Sequence, residues 1–288
     1  HATTKPIHRV TTRDRFVECT SDHSLFSDGV EVKPCDLKRD DKLDVYDFNL
    51  PTTVDMDLDE AWLLGFFVAD GSSVYGNRTQ NYFSKRKNTY IKHMGKRSEW
   101  TLNNADYIKL ERAKVILDKM FNLNVPIKDY LKSSNVYKLK THYRKVAEWF
   151  SINCYDNTRI KTIPTKILNG NLEVKKAFMD GLSTGDGWGD DLVNLKNITQ
   201  KTQNVMAGVN LILKDLGIDF TLKLRKDKEN IVAFNLGEKY KVNKDKSPRS
   251  TDKVWSNDII SNPDEYVYDI SANGTFICGV GAIICHNT

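Results

Sequence analysis

The chain has 288 residues, a formal net charge of +5 and 28% charged residues. That length suffices for two domains, and the mildly basic balance suits a nucleic-acid partner without demonstrating one. No apolar run reaches the ~20 residues that a membrane span needs, and no signal peptide opens the chain, so no membrane role is expected.

Residues 1 to about 57 read as short strands. The β-rich runs HRVTT, RFVECT and LDVYDF are broken by Ser-Asp, Asp-Gly and Pro-Cys. Within them Thr20 and His23 stand three apart in TSDHSLF; taken alone, this is a surface turn with an Asx hydrogen bond. The β pattern stops near Leu50-Pro51. Glu60 to Gly71, EAWLLGFFVADG, then predicts a helix that is apolar almost all round and ends in Asp70-Gly71. Asp57 or Asp59 can cap it. Its small residues Ala61, Gly65 and Ala69 recur every four positions and so share one face.

From Ser72 to Asn103 the chain is polar and basic. Arg78, Lys85, Arg86, Lys87, Lys92, Lys96 and Arg97 are interleaved with Tyr75, Tyr82, Phe83, Tyr90 and Trp100, and Glu99 is the sole acid. Strands with such residues on one face fit phosphate contacts with some base reading; a solvated hairpin is the plain alternative. A helix follows over Ala105–Phe121, then a strand in VYKLKTHY and a short helix in RKVAEWF. Lys161 lies in IKTIPTKIL, where an exposed lysine before a turn proline is the plain reading.

The first helix pattern then returns as KAFMDGLSTGDG, Lys176 to Gly187. Ala177, Gly181 and Gly185 fall over Ala61, Gly65 and Ala69, and Asp186 falls over Asp70. Trp62, Leu63 and Phe66 fall over Phe178, Met179 and Leu182. Two helices packed through such small-residue faces approach backbone to backbone and bring Asp70 beside Asp186. A like-charged pair there calls for a divalent cation. LVNLKNITQK, the amphipathic helix Asn204–Ile218 and the hairpin TLKLRK/IVAFNLG repeat the order of the first half, so the middle reads as a pseudo-dimer. KYKVNKDKSPR is either another phosphate contact or a linker. EYVYDISANGTFICGVGAIICHNT returns to β runs. The five cysteines form no C-x-x-C pair, and their odd number argues against a disulfide framework and a zinc site, favouring a reducing intracellular compartment.

The paired stretches ending in Asp-Gly resemble the LAGLIDADG motif of homing endonucleases in its two-copy, single-chain form. The flanks resemble inteins, the self-splicing protein elements. Together these resemblances imply an α+β chain: a discontinuous all-β Hint (intein) domain and a pseudo-dimeric αββαββα endonuclease domain. The implied boundaries are 1–58 and 253–288 for splicing and 59–252 for the endonuclease, with halves of about 59–155 and 156–252. The endonuclease resemblance implies a double-stranded DNA partner. It implies Asp70 and Asp186 as ligands of Mg²⁺ or Mn²⁺, helped by the Ala69 and Gly185 carbonyls. IKTIP resembles the Lys-x-Ile-Pro block before the second motif of intein endonucleases, which implies Lys161 as the active-site lysine.

In the splicing flanks, Thr20 and His23 match the T-x-x-H block that polarises the first scissile peptide bond, and Asp269 in VYDI falls on the family's acidic position. His286, Asn287 and Thr288 match the C-terminal junction. There the Asn287 amide attacks its own carbonyl, His286 holds or protonates that carbonyl, and Thr288 begins the host protein and offers the accepting hydroxyl. The family's first nucleophile, Cys or Ser, has no match, since the chain begins with His1; a separate N-terminal fragment is expected to supply it, unless it was removed or left out. Thr275 stands where many inteins have histidine. The implied partners are therefore DNA, the flanking host sequences and that N-terminal fragment. The ending GVGAIICHNT resembles inteins of B-family DNA polymerases. The rival readings are a nuclease-inactive, maturase-like binder and a free-standing endonuclease with vestigial flanks.

Overall fold

The computed structural model describes residues 2–47, 49–84, 86, 88–189, 191–224, 232–236, 250–260, 266–267 and 274–286, with backbone alone for 78–84, 90–94 and 224. The chain is of mixed α/β class and divides into two compact units, one of His1–Leu50 with Lys196–Thr288, the other of Pro51–Leu195.

The first unit opens with five short strands, β1 (Ile7–Thr11), β2 (Phe16–Thr20), β3 (Ser24–Ser27), β4 (Val30–Val32) and β5 (Lys42–Asp44). β1 and β2 pair antiparallel with Val10 opposite Val17. The β3–β4 turn holds Asp28 and Gly29 at positive φ, and their backbone N–H groups donate to the Asp44 carboxylate at 3.0 and 2.7 Å. A side chain thus satisfies donors that no strand partner reaches.

The second unit begins with α1 (Leu58–Asp70), whose N-cap Asp57 accepts from the backbone N–H groups of Asp59 and Glu60 at 2.8 and 3.3 Å. β6 (Gly71–Ser84) and β7 (Thr89–Asn104) form a long antiparallel hairpin, followed by α2 (Tyr107–Phe121), β8 (Ile127–Asp129), α3 (Leu131–Ser134) and β9 (Tyr137–Thr141). The sheet order is β6-β7-β9-β8. α4 (Arg144–Cys154) covers one of its faces, where Trp100, Phe67 and Phe150 stack as a fully buried aromatic cluster. α5 (Thr165–Leu168) and α6 (Leu172–Asp186) complete the unit. α6 is capped by Asn171, which accepts from Val174 N–H at 3.0 Å.

The chain then returns to the first unit with β10 (Asn197–Gln200), α7 (Gln203–Asp215), β11 (Phe220–Leu224) and β12 (Val232–Leu236), the sheet running β10-β12-β11. β13 (Thr251–Lys253), β14 (Ser256–Ile260), β15 (Thr275–Cys278) and β16 (Ile283–His286) pair back with the opening strands, giving β14-β1-β2, β13-β5 and β15-β16-β3-β4. Val10, Val17, Leu25, Leu37, Leu43, Val45, Val254, Ile283 and Cys285 form their common core, so the two chain ends build one β body.

Residues 196–236 group with these flanking strands, whereas 59–252 is the stretch expected to stand together. The contacts responsible are specific. The buried Asn210 of α7 donates to the Asp14 carbonyl at 2.7 Å, and Leu222 N–H donates to the Arg13 carbonyl at 2.9 Å. Arg15, fully buried, pairs with Asp47 and lies 3.5 Å from Asp14, while Lys214 of α7 lies 3.7 Å from Asp47 and 3.9 Å from Asp14. Buried charge survives in such a place because it is paired.

The expectation drawn from the cysteine count is corrected. Cys278 and Cys285 form a disulfide. Antiparallel pairing of β15 with β16 brings two cysteines seven residues apart onto one face, two rungs from each other, a closeness invisible to a count of cysteines. Cys19, Cys35 and Cys154 are free thiols.

Candidate functional site

α1 and α6 meet along their small residues with two-fold correspondence. A Cβ placed on Gly65 would fall on the Phe178 carbonyl oxygen and within 2.7 Å of the Leu182 nitrogen. A Cβ on Gly181 would fall on the Trp62 carbonyl oxygen and within 3.0 Å of the Phe66 nitrogen. Trp62 and Phe178 are equivalent in the two copies, as are Phe66 and Leu182. Each glycine therefore gives the other helix its close approach, and only glycine fits.

The seam carries both helix ends to one place. Asp70 and Asp186 are the last residues of α1 and α6. A Cβ on Gly185 would lie 3.0 Å from the Asp70 carboxyl carbon and one of its oxygens, so the Asp70 carboxylate rests against the final turn of α6. Asn104, at the end of β7, donates from Nδ2 to that carboxylate at 3.0 Å. Burial pushes the Asp70 carboxyl above its usual range, while the Asn104 hydrogen bond and the charges of Lys161 and Lys109 oppose the rise.

Lys161 is half-buried at the same end. Its ammonium donates to the Phe67, Val68 and Ala69 carbonyls at 3.3, 2.8 and 3.3 Å. Burial lowers its pKa, opposed by Asp186, Cys154 and Asp70. Lys109 of α2 plays the corresponding part for α6, donating to the Thr184 carbonyl at 3.5 Å. Val68 and Thr184 each lie two residues before the terminal aspartate. Each motif helix thus ends with an ammonium on its last free carbonyls, which suits the negative end of the helix dipole. The sequence singles out Lys161; Lys109 and Asn104 escaped notice. Asn104 stands two residues before the α2 cap Asp106, and nothing in that spacing marks it for Asp70.

The donor set suits a hard divalent cation: two carboxylates beside backbone carbonyls, all oxygen. The Ala69 carbonyl already accepts from Lys161, though a carbonyl keeps a second lone pair. Among the described residues no cluster of three or more His, Cys, Asp or Glu could hold a metal by itself. The two aspartates therefore form an open set that needs water or phosphate oxygens to complete it.

The basic residues separate. Arg86 is exposed in the β6–β7 turn. Lys96 and Arg97 are adjacent in β7 and so project from opposite faces of the sheet, not from the single face expected. Lys85 and Lys87, and the side chains of Arg78 and Lys92, lie outside the described residues.

In the other unit, Thr20 ends β2, and His23 N–H donates to the Thr20 carbonyl at 3.1 Å across the turn into β3. β16 pairs with β3, setting His286 opposite Ser24, next to His23. His286 Nδ1 lies 3.3 Å from Glu31 Oε1. Thr275 pairs with His286 across β15–β16. Asp269, Asn287 and Thr288 lie outside the described residues.

No protein-family model matches this chain. It is 29% identical over 305 aligned residues to a DNA polymerase of Acanthamoeba polyphaga mimivirus, an alignment covering 100% of this chain and 16% of that polymerase. The chain therefore spans about a sixth of that relative's length. Similar solved structures include I-DmoI in complex with DNA and Mn, at a TM-score of 0.44 and 19% identity, covering 62% of this chain and 89% of that one. The I-LtrWI LAGLIDADG homing endonuclease bound to target DNA follows at 0.39 and 13%, covering 62% and 78%. The meganuclease I-SmaMI bound to uncleaveable DNA stands at 0.37 and 12%, covering the same shares.

Proposed function

We propose that this chain belongs to an intein, with a LAGLIDADG-type endonuclease inserted between its splicing flanks, and that it hydrolyses phosphodiesters of a specific double-stranded DNA site. The observation that carries the nuclease reading is the α1–α6 seam, which ends in Asp70 and Asp186 with Lys161 and Lys109 beside them. Full-length alignment with a sixth of a viral DNA polymerase supports an insertion in a host protein of that kind.

In this reading Asp70 and Asp186 hold Mg²⁺ or Mn²⁺ with help from the Gly185 and Ala69 carbonyls; the ion, when bound, supplies a nucleophilic water at neutral pH and offsets phosphate charge. Asn104 fixes the rotamer of Asp70 through its hydrogen bond. Lys161 sits where negative charge develops on the reacting phosphate and stabilises it, already desolvated and anchored by three carbonyls. The basic residues from Arg78 to Arg97 supply phosphate contacts.

In the flanks, Asn287 cyclises on its own carbonyl and breaks the 287–288 bond. His286 holds or protonates that carbonyl and Thr288 receives the acyl group. Thr20, His23 and Asp269 serve the N-terminal and relay steps. The pairing of β16 with β3 supports this arrangement, since it sets His286 beside the Thr20–His23 turn.

Incubation of the wild type, Asp70→Asn and Asp186→Asn with a target selected from a randomised duplex pool, in Mg²⁺, tests the nuclease. Cutting by the wild type and none by either variant is expected. Binding without cutting by the wild type would favour the maturase-like reading, and full cutting by either variant would remove the metal-ligand assignment.

A further inference from the structure

We infer that Glu99 is a specificity determinant of the proposed DNA-binding sheet, accepting a hydrogen bond from the N4 amino group of a cytosine in the major groove. The inference rests on the DNA-binding reading above and adds to it a residue, a base and a position.

The faces of the sheet are settled by burial. Trp100 is fully buried, and Ser73 opposite it donates to the Ala147 carbonyl of α4 at 2.8 Å. That face is covered by protein. Side chains alternate along a strand, so Val74, Arg97 and Glu99 project from the other face. Lys140 of β9 pairs with Thr101 and projects there too, as does Lys138. This open face is basic, with one carboxylate in its middle.

Glu99 is held from both sides. Lys140 Nζ lies 3.2 Å from Glu99 Oε2, and Arg97 donates to Glu99 Oε1 at 3.4 Å. Burial alone would raise the Glu99 carboxyl; Lys140, Arg97 and His142 outweigh it and keep the group below its usual range. Its side chain is 25% exposed against 33% for Lys140 and 40% for Arg97, and each carboxylate oxygen, bonded to one cation, keeps a lone pair for a further donor.

A carboxylate in this setting opposes what the face otherwise does. It cancels part of the attraction of Arg97 and Lys140 for phosphate. What it can do, and its cationic neighbours cannot, is accept. The major groove admits a two-stranded β ribbon, and cytosine presents there an amino donor that Glu reads. Arg97 and Lys140 orient the carboxylate while keeping donors for flanking phosphates or guanine edges.

The register also gives the position. Gly71, next to Asp70, pairs with Leu102, three residues from Glu99. Three residues of strand span about 10 Å, which is about three base pairs at 3.4 Å per step along a duplex. The cytosine belongs about three base pairs from the phosphate at Asp70.

The test is selection of the full chain, without cleavage in Ca²⁺, on a duplex pool with a randomised central tract. The wild type, Glu99→Gln and Glu99→Ala are compared, with circular dichroism to confirm that the variants fold. Cytosine preference at one position about three base pairs from the cut is expected for the wild type. Both variants should lose about fivefold or more of that discrimination at that position alone. Uniformly tighter binding by the variants, with unchanged base preferences, would show that Glu99 only tempers charge and would overturn the inference. A wild type that retains no duplex would remove the DNA reading itself, and Glu99's role with it.

Discussion

Lys161 donates its ammonium to the Val68 carbonyl at 2.8 Å, so the residue proposed for phosphate chemistry also closes the end of α1. Lys161→Met keeps the apolar stem and removes the charge. Cleavage should fall by about 10²- to 10³-fold with DNA affinity nearly unchanged. The pH dependence of stability supplies a second readout. Burial lowers the pKa of Lys161 below its ordinary 10.5, so between the lowered value and 10.5 the unfolded chain binds more protons than the folded one. Stability due to this group therefore rises with pH across that window. The rise should be missing from the Met variant, and equal slopes in the two proteins would contradict a half-buried, partly desolvated lysine.

Asp70 carries the opposite sign. Burial raises its carboxyl above the ordinary 3.8. Between 3.8 and the raised value the folded state holds more protons than the unfolded one, so stability falls as pH rises through that window. At neutral pH the uncomplexed protein bears the net cost of the half-buried carboxylate. Asp70→Asn should abolish cleavage yet raise the denaturation midpoint at pH 7, with the gain disappearing below pH 3.8. A variant less stable than wild type at pH 7 would mean that the Asn104 hydrogen bond outweighs burial at this site.

Gly65→Ala and Gly181→Ala should destabilise the second unit by similar amounts, because each added methyl meets a carbonyl oxygen of the partner helix. Overpacking of this kind costs about 1–3 kcal/mol or more. Chemical denaturation of both variants measures it. An unchanged midpoint in either would show that the helices stand further apart than the seam described above.

What the sequence revealed here depended on repetition. The Asp70 and Asp186 copies align residue by residue, so the helices, their glycine faces and their acidic ends were all legible without coordinates. β1, β2, β5 and α2 were also readable, because apolar spacing and turn pairs are local signals. Lys109, Asn104 and the Cys278–Cys285 bond were not. Each depends on two segments being brought together by the fold: α2 against the end of α6, the close of β7 against Asp70, and β15 against β16. The grouping of α7 with the flanking strands was equally hidden, since it turns on Asn210 reaching the Asp14 carbonyl, and Asn210 looks like any other residue of an amphipathic helix.

DNA affinity should fall steeply with salt. If about six cations of the Arg78–Arg97 stretch and its counterpart neutralise phosphates, the log–log slope should be near −5. Fluorescence anisotropy between 50 and 200 mM salt, roughly the range over which such contacts dissociate, provides the measurement. A nearly flat dependence would take the hairpin out of the interface.

The disulfide can be counted directly. Alkylation of the denatured, unreduced chain should label three thiols, Cys19, Cys35 and Cys154, and all five after reduction. Peptide mass mapping should recover Cys278 and Cys285 in one linked species. Five labelled cysteines without reductant would return the first unit to a framework held by packing alone.

The C-terminal junction makes the sharpest demand on the splicing reading. Asn287 cyclisation needs only groups near the 287–288 bond: the side-chain amide attacks the main-chain carbonyl, the peptide bond breaks, and the Thr288 amine leaves with a proton. His286 is the described residue nearest to this event, and β16 holds it against β3 beside the Thr20–His23 turn. Thr275, directly opposite His286, offers no second imidazole, so release should be slow. A fusion with a reporter after Thr288, followed by gel and mass spectrometry, measures the rate. Asn287→Ala should block release, since no amide remains to form the succinimide. His286→Ala should slow it by about 10²-fold or more, the usual scale of a lost general acid. Thr275→His should accelerate it, as a second imidazole is placed across the rung from the first. Equal release from wild type and Asn287→Ala would overturn the junction assignment, and with it the splicing reading of both flanks.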